Sequence, residues 1–167
     1  DHNAFSKLLL DWIDPIVVDK SLTVTIDAFV SSGDAIIVSH NFTSIFSEYF
    51  ILSYYTPNSL NSDNPYLTES GLIMYHVNAV LPEDYDNLAE YSYYFKYNNS
   101  DSYYKLIKIE EADGFNDISN YGSNASNNDL LKEGKSYILR MYDNRFLCTV
   151  TVKEMTPSSI TLSFDFK

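Results

Sequence analysis

The sequence predicts an all-β domain: an antiparallel β-sandwich, jelly-roll-like, carrying one short N-terminal helix. Three observations predict it. Apolar residues recur at alternate positions through most of the chain, the period of a half-buried strand. Turn-forming residues interrupt these runs about every ten residues. Aromatic residues make up 16% of the 167, with 15 Tyr and 10 Phe, types that suit a pleated surface.

The elements follow in chain order. Residues 3–12 read as the helix: Asn3 can cap it, and Phe5, Leu8, Leu9 and Trp12 share one face. Asp14-Pro15 stops it, because the residue before Pro avoids helical geometry. Leu8, Leu9 and Trp12 are expected either buried against the sandwich or exposed where a partner belongs. From residue 22 the period becomes two, with Leu22, Val24, Ile26, Ala28 and Val30 on one face. A turn at 31–34 leads to strands at 35–38 and 49–55, and a polar loop spans 58–70. Strands are expected at 71–81, at 91–97 paired with 104–110, and then at 137–142, 146–154 and 160–166. Residues 112–134, dense in Asp, Asn, Gly and Ser, are the least regular stretch. The division expected is a terminal helix of a preceding domain at 1–14 and a sandwich domain at 15–167.

The charge balance excludes whole classes of partner. There are 11 Lys and Arg against 23 Asp and Glu, a formal net charge of −12. A polyanion such as nucleic acid, or an anionic membrane, requires the opposite sign. No apolar run reaches the roughly 20 residues of a membrane-spanning helix. The single cysteine, Cys148, shares a strand face with Phe146, Val150 and Val152 and reads as a buried thiol. The chain opens at Asp1 in mid-pattern and is read as part of something longer.

No catalytic motif is present. There is no His-Glu-x-x-His helix for zinc and no Gly-x-Ser-x-Gly elbow. His2, His40 and His76 are far apart, and His76, beside Leu72, Met74 and Val80, reads as a hydrogen-bonded core histidine. Oxygen ligands cluster instead around Gly114: Asp113, Asn116 and Asp117, with Asp129 beyond. They form either a calcium site or a solvated turn of Asx hydrogen bonds. Tyrosines 54, 93 and 103 stand in paired clusters and could stack sugars, or serve sheet packing.

Several blocks, in order, resemble one family. They are Asp1-His-Asn-Ala-Phe-Ser-Lys-Leu-Leu-Leu-Asp-Trp-Ile-Asp-Pro15; Phe46-Ser-Glu-Tyr-Phe-Ile-Leu52; Glu69-Ser-Gly-Leu-Ile-Met-Tyr-His-Val-Asn78; Glu110-Glu-Ala-Asp-Gly-Phe-Asn-Asp117; and Asp129-Leu-Leu-Lys-Glu-Gly134. Together they resemble the region that follows the Met-turn in immune inhibitor A-like secreted metalloproteases of bacteria. The positions that carry the match include His2, Gly71, His76, Asn78 and Gly114. Asp11 stands where the family has Gly, Ser53 where it has an acid, and Asn78 where it has Asp. The resemblance implies a secreted, extracellular parent, either an active zinc endopeptidase or a degenerate relative, whose catalytic zinc site lies in an upstream domain. This chain would then be a non-catalytic accessory domain, with that protease domain as its partner and calcium as its one candidate ion. The alternatives are a free-standing module for glycan or another cell-surface ligand, and an unrecognised hydrolase.

Overall fold

The computed structural model describes residues 2–82 and 95–167. Among them nine strands form two sheets. The strands are β1 (Ile16–Val18), β2 (Leu22–Asp27), β3 (Ala35–Val38), β4 (Glu48–Tyr55), β5 (Gly71–Asn78), β6 (Ile107–Ile109), β7 (Ser136–Arg140), β8 (Phe146–Met155) and β9 (Ser159–Asp165). The first sheet runs β1-β3-β4-β5-β6 and the second β2-β9-β8-β7. Every pairing is antiparallel except β1 on β3. The all-β sandwich expected from the pattern is what the chain forms.

The core lies between the sheets. Ile36, Val38, Phe50, Leu52, Leu72 and Met74 face Ile26, Leu139, Cys148, Val150, Ile160 and Leu162. Cys148 is fully buried, and burial, followed by the nearby Asp165 charge, pushes its thiol up to about 12. The second sheet alternates as the sequence suggests: β9 reads buried at Ile160, Leu162 and Phe164, with more open residues between. β3 departs from that rule, because all four of its residues are buried. Its outer face, with those of β4 and β5, carries a second apolar cluster that includes Ala4, Phe5, Phe29, Ile37, Ile51 and Val77. Two helices supply part of that cover: α1 (Ala4–Leu9) and α2 (Phe29–Ser32).

Several boundaries move. The strand expected through residue 30 ends at Asp27. Ala28 caps α2, which turns Phe29 onto the outer face before Gly33, at φ 78°, ends the turn. β1 was not expected; three residues carry too little period to show. β6 is only three residues of the expected 104–110 strand and pairs with β5, while its expected partner falls largely outside the described residues.

The helix expected over 3–12 also stops early. Asn3 caps it through Ser6 N at 2.9 Å, and it ends at Leu9 in a Schellman closure. Trp12 N donates to Lys7 O at 2.9 Å and Asp11 N to Leu8 O at 3.1 Å. That closure needs a left-handed residue, and Asp11 takes φ 57°. Trp12 therefore leaves the helical face and is 61% exposed. Asp11→Gly should stabilise the domain by up to about 1 kcal/mol, since glycine occupies this region without strain. Chemical denaturation reads it, and a destabilised variant would contradict the cap.

Candidate functional site

The strongest constellation of ionisable groups is built on β5. Phe50 and His76 are register partners in β4 and β5, and their rings stack at 4.2 Å. Tyr142, from the turn after β7, stacks on His76 at 4.1 Å with an interplanar angle of 15°. His76 is buried, and each ring nitrogen meets a carboxylate: Nε2 lies 2.9 Å from Glu48 Oε1 and Nδ1 3.3 Å from Glu110 Oε1. Glu48 also accepts Tyr142 N at 2.6 Å. Glu110 accepts the Tyr137 hydroxyl at 3.0 Å and pairs with Lys108 at 3.4 Å. Glu48, His76 and Glu110 belong to the first sheet's strands and flanks, and Tyr137 and Tyr142 to the second, so the cluster ties the two sheets together.

The electrostatics follow from these contacts. Burial opposes a charge on His76, but the hydrogen bonds to Glu110 and Glu48 and the two negative charges outweigh it and hold the imidazole above its ordinary value. Burial would likewise raise Glu110. Its hydrogen bond with His76, then Lys108 and the Tyr137 hydroxyl, brings it below the usual range. Burial pushes Tyr142 up to about 12. With both ring nitrogens facing carboxylates and both ring faces stacked, His76 leaves no nitrogen open to a metal or a substrate.

A second constellation lies in the irregular stretch. Glu111, Asp113 and Asp129 bring carboxylate oxygens within 4.8 Å of one another. Glu111 and Asp129 are buried, while Asp113 is exposed. Glu111 accepts Asp117 N at 2.7 Å and Ile118 N at 3.2 Å, the first amides of α3 (Asp117–Tyr121). Asp129 closes a capping box with Ser126 at 2.6 Å. Burial and the charges of Asp129 and Asp117 raise Glu111 above the usual carboxylate range. Oxygens no more than 4.8 Å apart can surround a cation whose ligands lie at about 2.4 Å.

Of the sequence candidates, Asp113 and Asp129 thus come together, and Asp117 approaches Glu111 through its backbone. Asn116 turns its amide to Gly114 O at 3.2 Å. Glu111 was missed, because an acid in a polar stretch carries no sign of its burial. The histidines do not converge. His2 packs edge-on against Trp12, His40 against Phe166, and His76 sits inside the sandwich. Among the described residues, the acidic trio is the group of three with metal-ligand spacing.

The tyrosine expectation needs correcting at one position. Tyr54 is buried, its hydroxyl donating to Thr156 O at 2.6 Å, because even positions of β4 face the core. It has no face for a sugar. Tyr103 is 92% exposed, and Tyr93 lies outside the described residues. Gly71 and Asn78 bracket β5; Asn78 is buried with its Oδ1 unpaired, while Gly114 takes φ 79° in the acidic turn.

No family model, no curated protein and no solved structure matches this chain. Among the described residues, no helix is long and apolar enough to cross a membrane.

Proposed function

We propose that the chain is a non-catalytic β-sandwich domain of a secreted, metalloprotease-like protein, packed beside the catalytic domain that precedes it there. One observation carries this reading. Sequence blocks that resemble the metalloprotease family, separate along the chain, meet in the fold. The block at 46–52 contributes Glu48, that at 69–78 contributes His76, and that at 110–117 contributes Glu110 to one buried cluster. The block at 110–117 then meets that at 129–134 through Glu111, Asp113 and Asp129. Asp11 adds support: the family's glycine position adopts here the left-handed geometry that glycine favours.

The docking surface is the end of α1 turned away from the sheet together with the turn that follows it. Ala4 and Phe5 point inward, whereas Leu9, Leu10 and Trp12 are 38%, 51% and 61% exposed. Apolar side chains this close together are what a neighbouring domain of the same protein covers.

The test has two arms. Sequence encoded upstream of Asp1 should contain His-Glu-x-x-His and a Met-turn, and an unrelated segment there overturns the reading. The isolated domain should cleave no peptide with added zinc; chelator-sensitive cleavage would refute the non-catalytic assignment.

Calcium enters this reading through the acidic trio alone. Calcium at about 100 times its dissociation constant would stabilise the domain by about 2.7 kcal/mol. A thermal midpoint that rises with calcium, and no longer does so in Asp113→Asn, supports it. A midpoint unmoved at about 10 mM calcium removes the ion from the proposal, because a built oxygen site binds more tightly than that.

A further inference from the structure

A cavity of about 420 Å³ opens on the outer face of the first sheet, between α1 and the loop that follows β4. Its floor comes from alternate residues of two adjacent strands, Ser53 and Tyr55 of β4 and Ile73 and Tyr75 of β5. Asn61 and Asp63 of the loop form one wall. This is neither the His76 cluster nor the acidic trio, and it shares no residue with them.

The lining has a definite chemistry. Ser53 is only 3% exposed, yet neither its hydroxyl nor that of Tyr75 has a hydrogen-bond partner among the described residues. Tyr75 is half-buried and both residues line the cavity, so the two hydroxyls are free to bind what enters. Asn61 uses its Nδ2 on Thr56 O at 3.0 Å, which leaves its Oδ1 free to accept. The cavity therefore offers hydroxyls that donate or accept, amide and carboxylate acceptors, and aromatic and aliphatic surface beside them. Among the described residues no Lys or Arg lines it, which disfavours phosphate and carboxylate ligands. Its volume lies within the range of small-molecule sites.

We infer that this cavity binds an uncharged pyranose ring. A pyranose carries one apolar face of C–H groups and a rim of hydroxyls that both donate and accept. That mix matches a pocket whose floor sets tyrosine rings and Ile73 beside the Ser53 hydroxyl, with Asn61 and Asp63 in the wall above. The inference stands apart from the domain reading above: it holds whether or not a protease domain precedes this one.

The experiment is an NMR titration of the uniformly ¹⁵N-labelled domain with methyl β-glucopyranoside, methyl β-galactopyranoside and N-acetylglucosamine, and with methylammonium as the cationic comparison. At least one sugar should give saturable shifts centred on the amides of 53–55, 61–63 and 73–75. Its dissociation constant should be on the order of 1 mM, as few-contact sugar sites give. Ser53→Ala and Tyr75→Phe each remove one hydroxyl and little else; each should weaken binding about tenfold, the worth of one hydrogen bond, with an unchanged thermal midpoint. No sugar-induced shift at about 50 mM, far above that constant, overturns the assignment. So do shifts centred elsewhere, affinity insensitive to both variants, or binding of methylammonium alone through Asp63.

Discussion

Replacing His76 by Ala should cost about 3–5 kcal/mol of folding stability, because it leaves Glu48 and Glu110 facing each other in the interior without the cation between them. The side chain is 2% exposed and its carboxylate partners 21% and 13%, so solvent screens the pair weakly. His76→Gln is the more informative variant. It keeps a hydrogen-bonding group of similar reach and removes the titration.

The pH dependence has a definite sign. The folded state raises His76, so its contribution is complete below the unfolded value of about 6.5 and is lost as pH climbs through the folded value. Glu110 is lowered, so its contribution is complete above about 4.5 and is lost as pH falls through its folded value. The cluster therefore stabilises most between about pH 4.5 and 6.5. Urea unfolding across pH 4 to 9 should show stability falling on the alkaline side in the native protein, and that decline should flatten in His76→Gln. Superimposable profiles for the two would show that His76 is not held as a cation.

Gly71→Ala is the second large effect expected. A Cβ built on Gly71 lies 2.6 Å from Leu130 Cβ and 3.3 Å from Leu131 O. Neither neighbour can retreat easily. Leu130 is buried against Leu67 and Ile73, and Leu131 exchanges two backbone hydrogen bonds of 3.0 Å with Leu72. The variant should lose about 2–3 kcal/mol, the upper part of the range for an overpacked interior. Leu130→Gly, which removes the opposing Cβ, should cost less in the Gly71→Ala background than in the native chain, so the two substitutions should not add. A cost under about 0.5 kcal/mol, that of an ordinary surface change, would mean that the loop at 130–131 does not press on β5.

Much of the fold is legible in the sequence alone. The alternation in 160–166, the run at 35–38 and the cap at Asn3 all reappear at or near the residues expected. His76 was readable as a core histidine from its apolar neighbours on the strand. Its partners were not readable, since Glu48 and Glu110 lie 28 and 34 residues away. Glu111 was passed over beside Asp113 for the same reason: only the fold shows that it is buried under α3. Ala28 illustrates the opposite failure. Its place in an alternating run argued for more strand, and the demand for a cover over the first sheet turned the chain into α2 instead.

The division has one physical cause. Strand period, turn residues, helix caps and net charge are properties of neighbours in sequence, so the class of fold, most of its strands and its unsuitability for polyanions are written locally. Which sheet a strand joins is settled by pairing over long separations, as when β2 reaches β9 rather than its neighbours. The same long-range contacts leave β3 dry on both faces, place two carboxylates against one imidazole, and enclose a cavity between α1 and the loop after β4. No local period encodes contacts of that kind; they exist only once the sheets have packed.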